Sequence, residues 1–457
     1  MRVLTALLWI GLIGCGDPPP PCNRGLSTGT DVIESSDNIV VVLIDDVGVE
    51  RFTGWGADKH AAHTPVLDAL EGEAVKFSRA YASPSCSPTR AALLTGRRAR
   101  RTGIGTWIDP RVDSFDLADS EVTIPEMLRS SPRGPWSTAI VGKWHLSIFD
   151  DDAPEDPYTQ GFDTFYGLLG NASMSWRKTP GERSYTYWEY FADRERSISE
   201  DYLTTVTTDD AIAQLDSLRE PFFLYVAYSA AHSPFHIPPA ELIEAFPATS
   251  GDVDQFDSMV ESLDTELGRL FAAIDASDTT VIVVSDNGTP EEAAVGLLDQ
   301  HHAKNSVHEG GTHVPMWVWG SAVTRPGTTS DVLVHVTDIF ATVADLAGVE
   351  LEALDVEIDG RSFASSLDWR DEKGRRCLVS ERFPDNGRPQ HKLERSIRDD
   401  DYLLVQHHGE SDELYDLNTR RGDLGDDLLQ SGTPSKEAEG AYRRLSRWLE
   451  QDLQAVR

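Results

Sequence analysis

"NIVVVLIDDVG", residues 38–48, decides the fold: six consecutive aliphatic residues follow Asn38, and the run stops at Asp45-Asp46. A strand that is apolar on both faces belongs inside a largely parallel sheet covered by helices on either side. Two further runs have the same character, "PFFLYVAYSAAH" (221–232) and "TTVIVVSDNG" (279–288), and amphipathic segments alternate with them. Thr64-Pro65 reads as an N-cap and first position opening a helix over "TPVLDALEGEA" (64–74). Met259, Val260, Leu263, Leu267, Leu270, Phe271 and Ile274, following Phe256, keep helical spacing, and Thr337 or Asp338 should cap a helix carrying Ile339, Phe340, Val343 and Leu346. The fold class expected is α/β, a large mostly parallel sheet flanked by helices. After about Leu367 the pattern changes to the short alternating runs "RRCLVSERF", "HKLERSIRD" and "YLLVQHHG", then a helix from about Ser435 to Leu453, which predicts a smaller antiparallel-sheet-plus-helix subdomain.

Ligand groups in open α/β sheets collect beyond the carboxyl ends of the strands. Three strands end there in chemistry: Asp45-Asp46, His232 and Asp286-Asn287. Three carboxylates and an amide oxygen form a hard-oxygen set for Ca²⁺, with Mg²⁺ the other cation it admits. The alternative is that such residues only cap the helices that follow. Arg90, Lys143, His145, His232 and Lys304 add cationic groups nearby. A divalent ion with Arg and Lys suits a transferring or leaving tetrahedral oxyanion, so the residues alone point to a metal-dependent ester hydrolase without choosing sulfate over phosphate.

The charge balance narrows the partners. With 76 acidic against 41 basic residues and a net charge of −35, the surface repels nucleic acid and anionic lipid. The N-terminus, "MRVLTALLWIGLIGCGDPPPPC", carries one Arg before an apolar run too short to span a bilayer as a mature helix. Leu12-Ile13-Gly14-Cys15 resembles a bacterial lipobox, which implies a signal peptide over 1–14, a lipid anchor on Cys15 and a Pro-rich tether over 15–36. The expected protein is exported and membrane-anchored, in the periplasm or at the cell surface; an ordinary signal peptide with a chance cysteine is the alternative. Cys22, Cys86 and Cys377 remain, too few for a disulfide framework and too scattered for a cysteine zinc site, although a Cys22–Cys377 bridge is conceivable.

The stretch "SPSCSPTRAALLTGR" (83–97) makes the choice of chemistry. It resembles the signature of the sulfatase family, an alkaline-phosphatase-like superfamily, in which a Cys-x-Pro-x-Arg is followed by Leu-Thr-Gly-Arg. The resemblance extends over nearly everything after the tether, through "NIVVVLIDDVG", "VGKWHLS" (141–147), "AAHSPFHIP" (230–238), "VSDNG" (284–288), "KNSVHEGGTHVP" (304–315) and "ELYDLNTRRGDLGDD" (413–427). It implies a catalytic domain over 37–367 and a C-terminal subdomain over 368–457. It also implies that a formylglycine-generating enzyme converts Cys86 to a formylglycine aldehyde, and that one Ca²⁺ is held by Asp45, Asp46, Asp286, Asn287 and the modified residue 86.

In the implied sulfuric ester hydrolase, the hydrated aldehyde attacks sulfur while Asp286 accepts its proton. Arg90, Lys143 and Lys304 neutralise the sulfuryl oxygens, and His232 with Lys304 serves the leaving alkoxide. His145 takes the proton of the second hydroxyl. A phosphatase or phosphonate monoester hydrolase on the same fold is the competing enzyme reading. A non-catalytic glycan-binding surface lipoprotein is the competitor from another class. His313 stands where many relatives carry Arg, and Asn171 near a position where some carry Ser; neither is expected to be catalytic.

Three features bear on substrate. Five aromatic residues between Tyr185 and Phe191 read equally as a wall for a sugar or aryl ring and as a core-facing hairpin. Arg97, Arg98, Arg100 and Arg101 could meet a polyanionic glycan, but by resemblance Arg97 is mainly structural and the other three read most simply as a solvated face. His236, His301 and His302 lie close in sequence to site residues and could line the pocket mouth.

Overall fold

Asn38–Ile44 is a fully buried strand in the middle of a ten-stranded sheet. The computed structural model describes residues 22, 38–57, 61–110, 115–174, 184–245, 251–368, 374–418, 425–430 and 434–455. The leader, Cys15 and the tether apart from Cys22 lie outside them. In spatial order the strands are Thr328–Ser330, Val75–Phe77, Met316–Gly320, Thr279–Ser285, Asn38–Ile44, Phe222–Ala227, Ser137–Lys143, Thr164–Leu168, Trp188–Ala192 and Glu195–Ser199. The five from Thr279–Ser285 to Thr164–Leu168 run parallel, and the flanking Met316–Gly320 and Trp188–Ala192 are antiparallel to them.

Successive side chains of a strand point to opposite faces, and the central strand divides accordingly. Ile39, Val41 and Leu43 join one core with Ala91–Leu94 of the helix Cys86–Thr95 and with Ile339, Phe340 and Val343 of the helix Thr337–Leu346. Val40, Val42 and Ile44 join the opposite core with Phe256, Met259, Leu263 and Leu267 of the helix Asp252–Ala273. The result is three layers, helix on sheet on helix, as the doubly apolar strand requires. Two local expectations change. The first helix stops at Leu70, so "TPVLDALEGEA" is helical only over Pro65–Leu70. Thr337 and Asp338 lie inside their helix, and the Asp338 carboxylate accepts instead from the amides of His335 and Arg361.

The small subdomain is a four-stranded antiparallel sheet, Leu378–Arg382, Glu394–Arg398, Tyr402–Gln406 and Glu413–Asp416 in that order. Helix Lys436–Ala455 packs Ala438, Leu445 and Leu449 against it. Cys22 and Cys377 are joined by a disulfide in that same core, which settles their pairing.

The four arginines after Thr95 are not a solvated face. Arg98 donates to both carboxylate oxygens of Asp452 in the last helix, at 2.9 and 3.1 Å. Arg101 reaches Asp359 and Glu357, Arg97 reaches Glu121, and Arg100 lies 3.8 Å from buried Glu381. The partners of Arg98, Arg100 and Arg101 lie hundreds of residues away in sequence, so the run looks solvated when read locally. It pins the terminal helix to the helix that starts at Cys86.

Removing one member of a buried ion pair leaves an uncompensated charge. Arg98→Met should therefore cost about 3–5 kcal/mol in urea denaturation, whereas Arg129→Ala, whose pair with Glu126 is solvent-exposed, should stay within about 0.5 kcal/mol. Equal effects would contradict the assignment of Arg98 as the pin.

Candidate active site

Three neighbouring parallel strands stop at the same level and are sewn together by their own backbone. Asp286 N donates to Ile44 O (2.9 Å), Asp45 N donates to Ala230 O (3.1 Å) and Ala231 N donates to Asp45 O (2.7 Å). Asp46 takes a left-handed conformation, φ 68°, which short polar side chains tolerate. Its amide donates to Asp286 Oδ1 at 3.1 Å. Gly288 then passes so close to the Glu309–Thr312 turn that a Cβ there would lie 1.7 Å from Gly310 O. The glycines of "VSDNG" and "HEGG" are thus needed at one crossing, which delivers Lys304 to the strand ends.

The helix Cys86–Thr95 aims its first turn at these carboxylates. Cys86 Sγ lies 3.5 Å from Asp45 Oδ1 and 3.9 Å from Asp46 Oδ1. Pro88 sits within the first turn, where a missing backbone donor costs nothing. Arg90, one turn on and on the same side of the helix, donates Nη2 to Asp45 (3.1 Å) and Asp286 (3.0 Å), and Nη1 to Lys143 O (2.7 Å). The residues between also hold the frame. Ser87 Oγ donates to His145 O at 2.9 Å and accepts from Ile108 N, while Thr89 Oγ1 donates to Asp286 O at 2.6 Å.

Lys143 Nζ donates to Asp45 Oδ2 at 2.5 Å, and Lys304 Nζ to Asp46 Oδ2 at 2.7 Å. His232 Nε2 is 3.8 Å from Asp46 Oδ2. Three carboxylates thus meet three permanent cations, all but Lys304 essentially sealed from solvent.

The electrostatics follow from burial. Burial alone would raise Asp45, but Lys143, His232, Arg90 and Lys304 outweigh it and hold Asp45 well below the carboxylate range. Asp286 is pushed up to about 7 by burial and by Asp45 beside it. Burial, Asp286 and Asp45 raise the Cys86 thiol well above its ordinary value, so it stays protonated and is a poor nucleophile as a cysteine. Burial, against the pull of Asp46, lowers His232 to about 4. Burial, Lys143 and Arg90 push His145 far down, leaving both rings neutral.

Asn287 Nδ2 donates to Asp46 Oδ1 at 2.8 Å, whereas its Oδ1 is buried with no hydrogen-bond partner. That orphaned oxygen, beside three carboxylates, fits a hard divalent cation. Ligand atoms of Asp45, Asp46, Cys86 and His232 all lie within 4.8 Å of one another, so three residues of the expected metal set share one small volume with His232, while Asp286 and Asn287 reach it through their hydrogen bonds with Asp46.

The residues picked out in the sequence therefore converge; His145 is tied to the Cys86 helix by Ser87, whose hydroxyl donates to its carbonyl, while its Nε2 contacts Ile108 O at 3.1 Å. His236 instead contacts Tyr202 OH, His302 stacks on His308, and His301 is exposed. Asn171 is buried, and His313 stacks on Tyr81. The aromatic run forms a hairpin with Tyr185, Trp188 and Phe191 buried. Tyr185 stands out in the sequence only as the start of the aromatic run; its hydroxyl donates to Ser229 O and His232 O and backs the His232 loop, a role the sequence does not show. Ser87 and Thr89 were visible inside the signature but had no assigned task.

Residues 37–349 match the family model described as Sulfatase. The uncharacterized sulfatase YdeN of Escherichia coli strain K12 is 31% identical over 370 residues, covering 74% of this chain and 62% of that protein. The chain thus spans about three-fifths of that relative's length. N-acetylgalactosamine-6-sulfatase of Mus musculus is 29% identical over 391 residues, covering 79% of this chain and 68% of that protein. The crystal structure of Ps i-CgsB in complex with k-i-k-neocarrahexaose shares the fold, with a TM-score of 0.73 at 23% identity over 91% of this chain and 92% of that one. The match runs through every strand end that builds the site, and on it the chain belongs to the sulfatase family.

Proposed function

We propose that this protein hydrolyses sulfate monoesters, with a sulfated carbohydrate as the substrate class. The observation that carries the reading is the placement of Cys86 at the head of a buried helix, against Asp45 and Asp46, with Arg90 one turn behind it. The names of the mouse relative and of the k-i-k-neocarrahexaose complex support the substrate class. The protonated, deeply buried thiol supports conversion of Cys86 to formylglycine by a maturation enzyme, since the cysteine itself is a poor nucleophile. Export and a lipid anchor on Cys15 belong to the same proposal, on the strength of the N-terminal sequence.

A Ca²⁺ held by Asp45, Asp46, Asp286 and Asn287 would supply fixed positive charge beside residue 86, and the hydrated aldehyde would supply both the attacking hydroxyl and a second one for sulfate release. The chain's own groups do the rest. Lys143 and Lys304 sit on carboxylate oxygens of Asp45 and Asp46 that a cation would share, and with Arg90 they are the positive groups beside residue 86 that would meet the sulfuryl oxygens. Asp286 is the base for the attacking hydroxyl.

His232 Nδ1 donates to Ser233 O at 2.7 Å, so the neutral ring shows a lone pair at Nε2. It can serve as an acid only after gaining a proton, which the arriving anion favours. Burial opposes charge on Lys304, but Asp46 and its neighbours outweigh it and make the proton tightly held. Lys304 thus stabilises the leaving oxygen as a charged donor, while His232 is the group that exchanges the proton. His145 is neutral and its buried Nδ1 lacks a hydrogen-bond partner, so it can accept a proton at the release step.

Three outcomes test this reading. Cys86→Ala should lower kcat on aryl sulfates by at least about 10³-fold, and a peptide spanning residues 83–97 from the native host should carry an aldehyde; full turnover in C86A, or an unmodified thiol in active protein, defeats it. Lys304→Ala should cost about 10²-fold on alkyl or sugar sulfates but under about tenfold on nitrophenyl sulfate, whose departing oxygen needs little help; equal losses would remove Lys304 from the leaving group. Asp286, raised to about 7 in the cation-free site, must ionise to hold a dication. Calcium affinity should therefore be full at about pH 8 and weaken by up to about tenfold per unit below about pH 7. An affinity unchanged in calorimetry over that range rules out Asp286 as a ligand.

A further inference from the structure

A second cluster of metal-ligating side chains lies outside the strand-end site. His302 and His308 come from the segment that carries Lys304, while His407 and Glu413 come from the C-terminal sheet. His308 Nε2 is 2.9 Å from Glu413 Oε2, and His407 Nε2 is 3.2 Å from Glu413 Oε1. The rings of His302 and His308 stack at 3.9 Å, and ligand atoms of His302, His308 and Glu413 all lie within 4.8 Å of one another. Tyr415 OH donates to Glu413 Oε2 at 2.6 Å, fixing the carboxylate, and Val307 packs against Leu403, Val405 and Tyr415 beneath. His308 is 4% exposed, yet its Nδ1 is buried without a hydrogen-bond partner.

We propose that His302, His308, His407 and Glu413 form a binding site for a divalent transition metal of the zinc class, which clamps the Lys304 segment to the C-terminal sheet. Three imidazoles and one carboxylate make a nitrogen-rich donor set. Such a set selects zinc and its neighbours, and not the hard cations suited to the oxygen-rich strand ends. Four ligands at bonds of about 2.1 Å in a tetrahedron have edges of about 3.4 Å. His308 and His407 reach different oxygens of Glu413, Oε2 and Oε1, so the carboxylate stands between the two rings and His407 closes in on the ion from the far side of it. Two stacked rings cannot both point lone pairs at one ion, so His302, the more exposed of the pair, turns toward the metal when it binds. Without metal, hydrogen bonds from His308 and His407 hold Glu413 far below its ordinary range, and the Glu413 hydrogen bond raises His407.

The test uses the full chain, stripped with chelator, saturated with calcium and dialysed against zinc. Metal analysis should find one zinc per chain beyond the calcium, and cobalt in its place should give the intense visible bands of a four-coordinate, nitrogen-rich centre. His407→Ala and Glu413→Gln should each weaken zinc at least tenfold with calcium uptake unchanged, and Asp45→Asn should weaken calcium while zinc remains. His302→Ala, at a partly exposed ring, keeps the test open if a buried variant misfolds. Absence of zinc uptake by the wild-type chain, or uptake by these variants equal to wild type, overturns the assignment.

Discussion

The structure depends on keeping three carboxylates together where water cannot reach them. Asp45, Asp46 and Asp286 sit at adjacent strand ends, fully or almost fully buried, and left to themselves would force one another to protonate. The chain answers with cations from three distant segments. Arg90 comes from the helix beneath, Lys143 from the end of a neighbouring strand, and Lys304 from a loop that crosses the sheet at Gly288. Since the three carboxylates draw on cations from three segments, the strands, the helix and the crossing loop must all arrive before all of the charges are satisfied. Fold and site are one requirement.

The same concentration of charge is what makes the site chemically capable. In a cluster neutral only through mutual pairing, Arg90, Lys143 and Lys304 are held where a cation on the carboxylates would leave their charge for an incoming anion. The helix Cys86–Thr95 shows how economically the signature is used. Cys86 faces the acids, Ser87 ties two loops, Pro88 occupies the first turn, Thr89 anchors the Asp286 strand and Arg90 bridges two carboxylates. Reading the signature as a cysteine and an arginine with filler between them misses half of its work.

Long-range consequences were legible in the sequence where a local pattern forced them. Six aliphatic residues ending in two acids admit little besides a buried parallel strand, and three such ends bring the site residues together whatever the loops do. The pattern failed where a residue's partner is remote. The arginines from Arg97 to Arg101 look solvated until Asp452, Glu381 and Asp359 arrive. Tyr185 sits in an aromatic run whose direction is set by hairpin pairing, and Asp338 resembles a helix cap although its carboxylate serves amides on two other segments. The Cys22–Cys377 bridge joins residues 355 apart, a pairing that spacing cannot decide.

That bridge also determines how the molecule carries load. Cys22 lies before the first strand and Cys377 just before the first strand of the C-terminal sheet, so tension arriving from the amino-terminal side passes across the sulfurs into the small subdomain. A pull on the chain ahead of Cys22 would enter the fold at the small subdomain and reach the strand-end site only through side chains such as Arg98 that join the two.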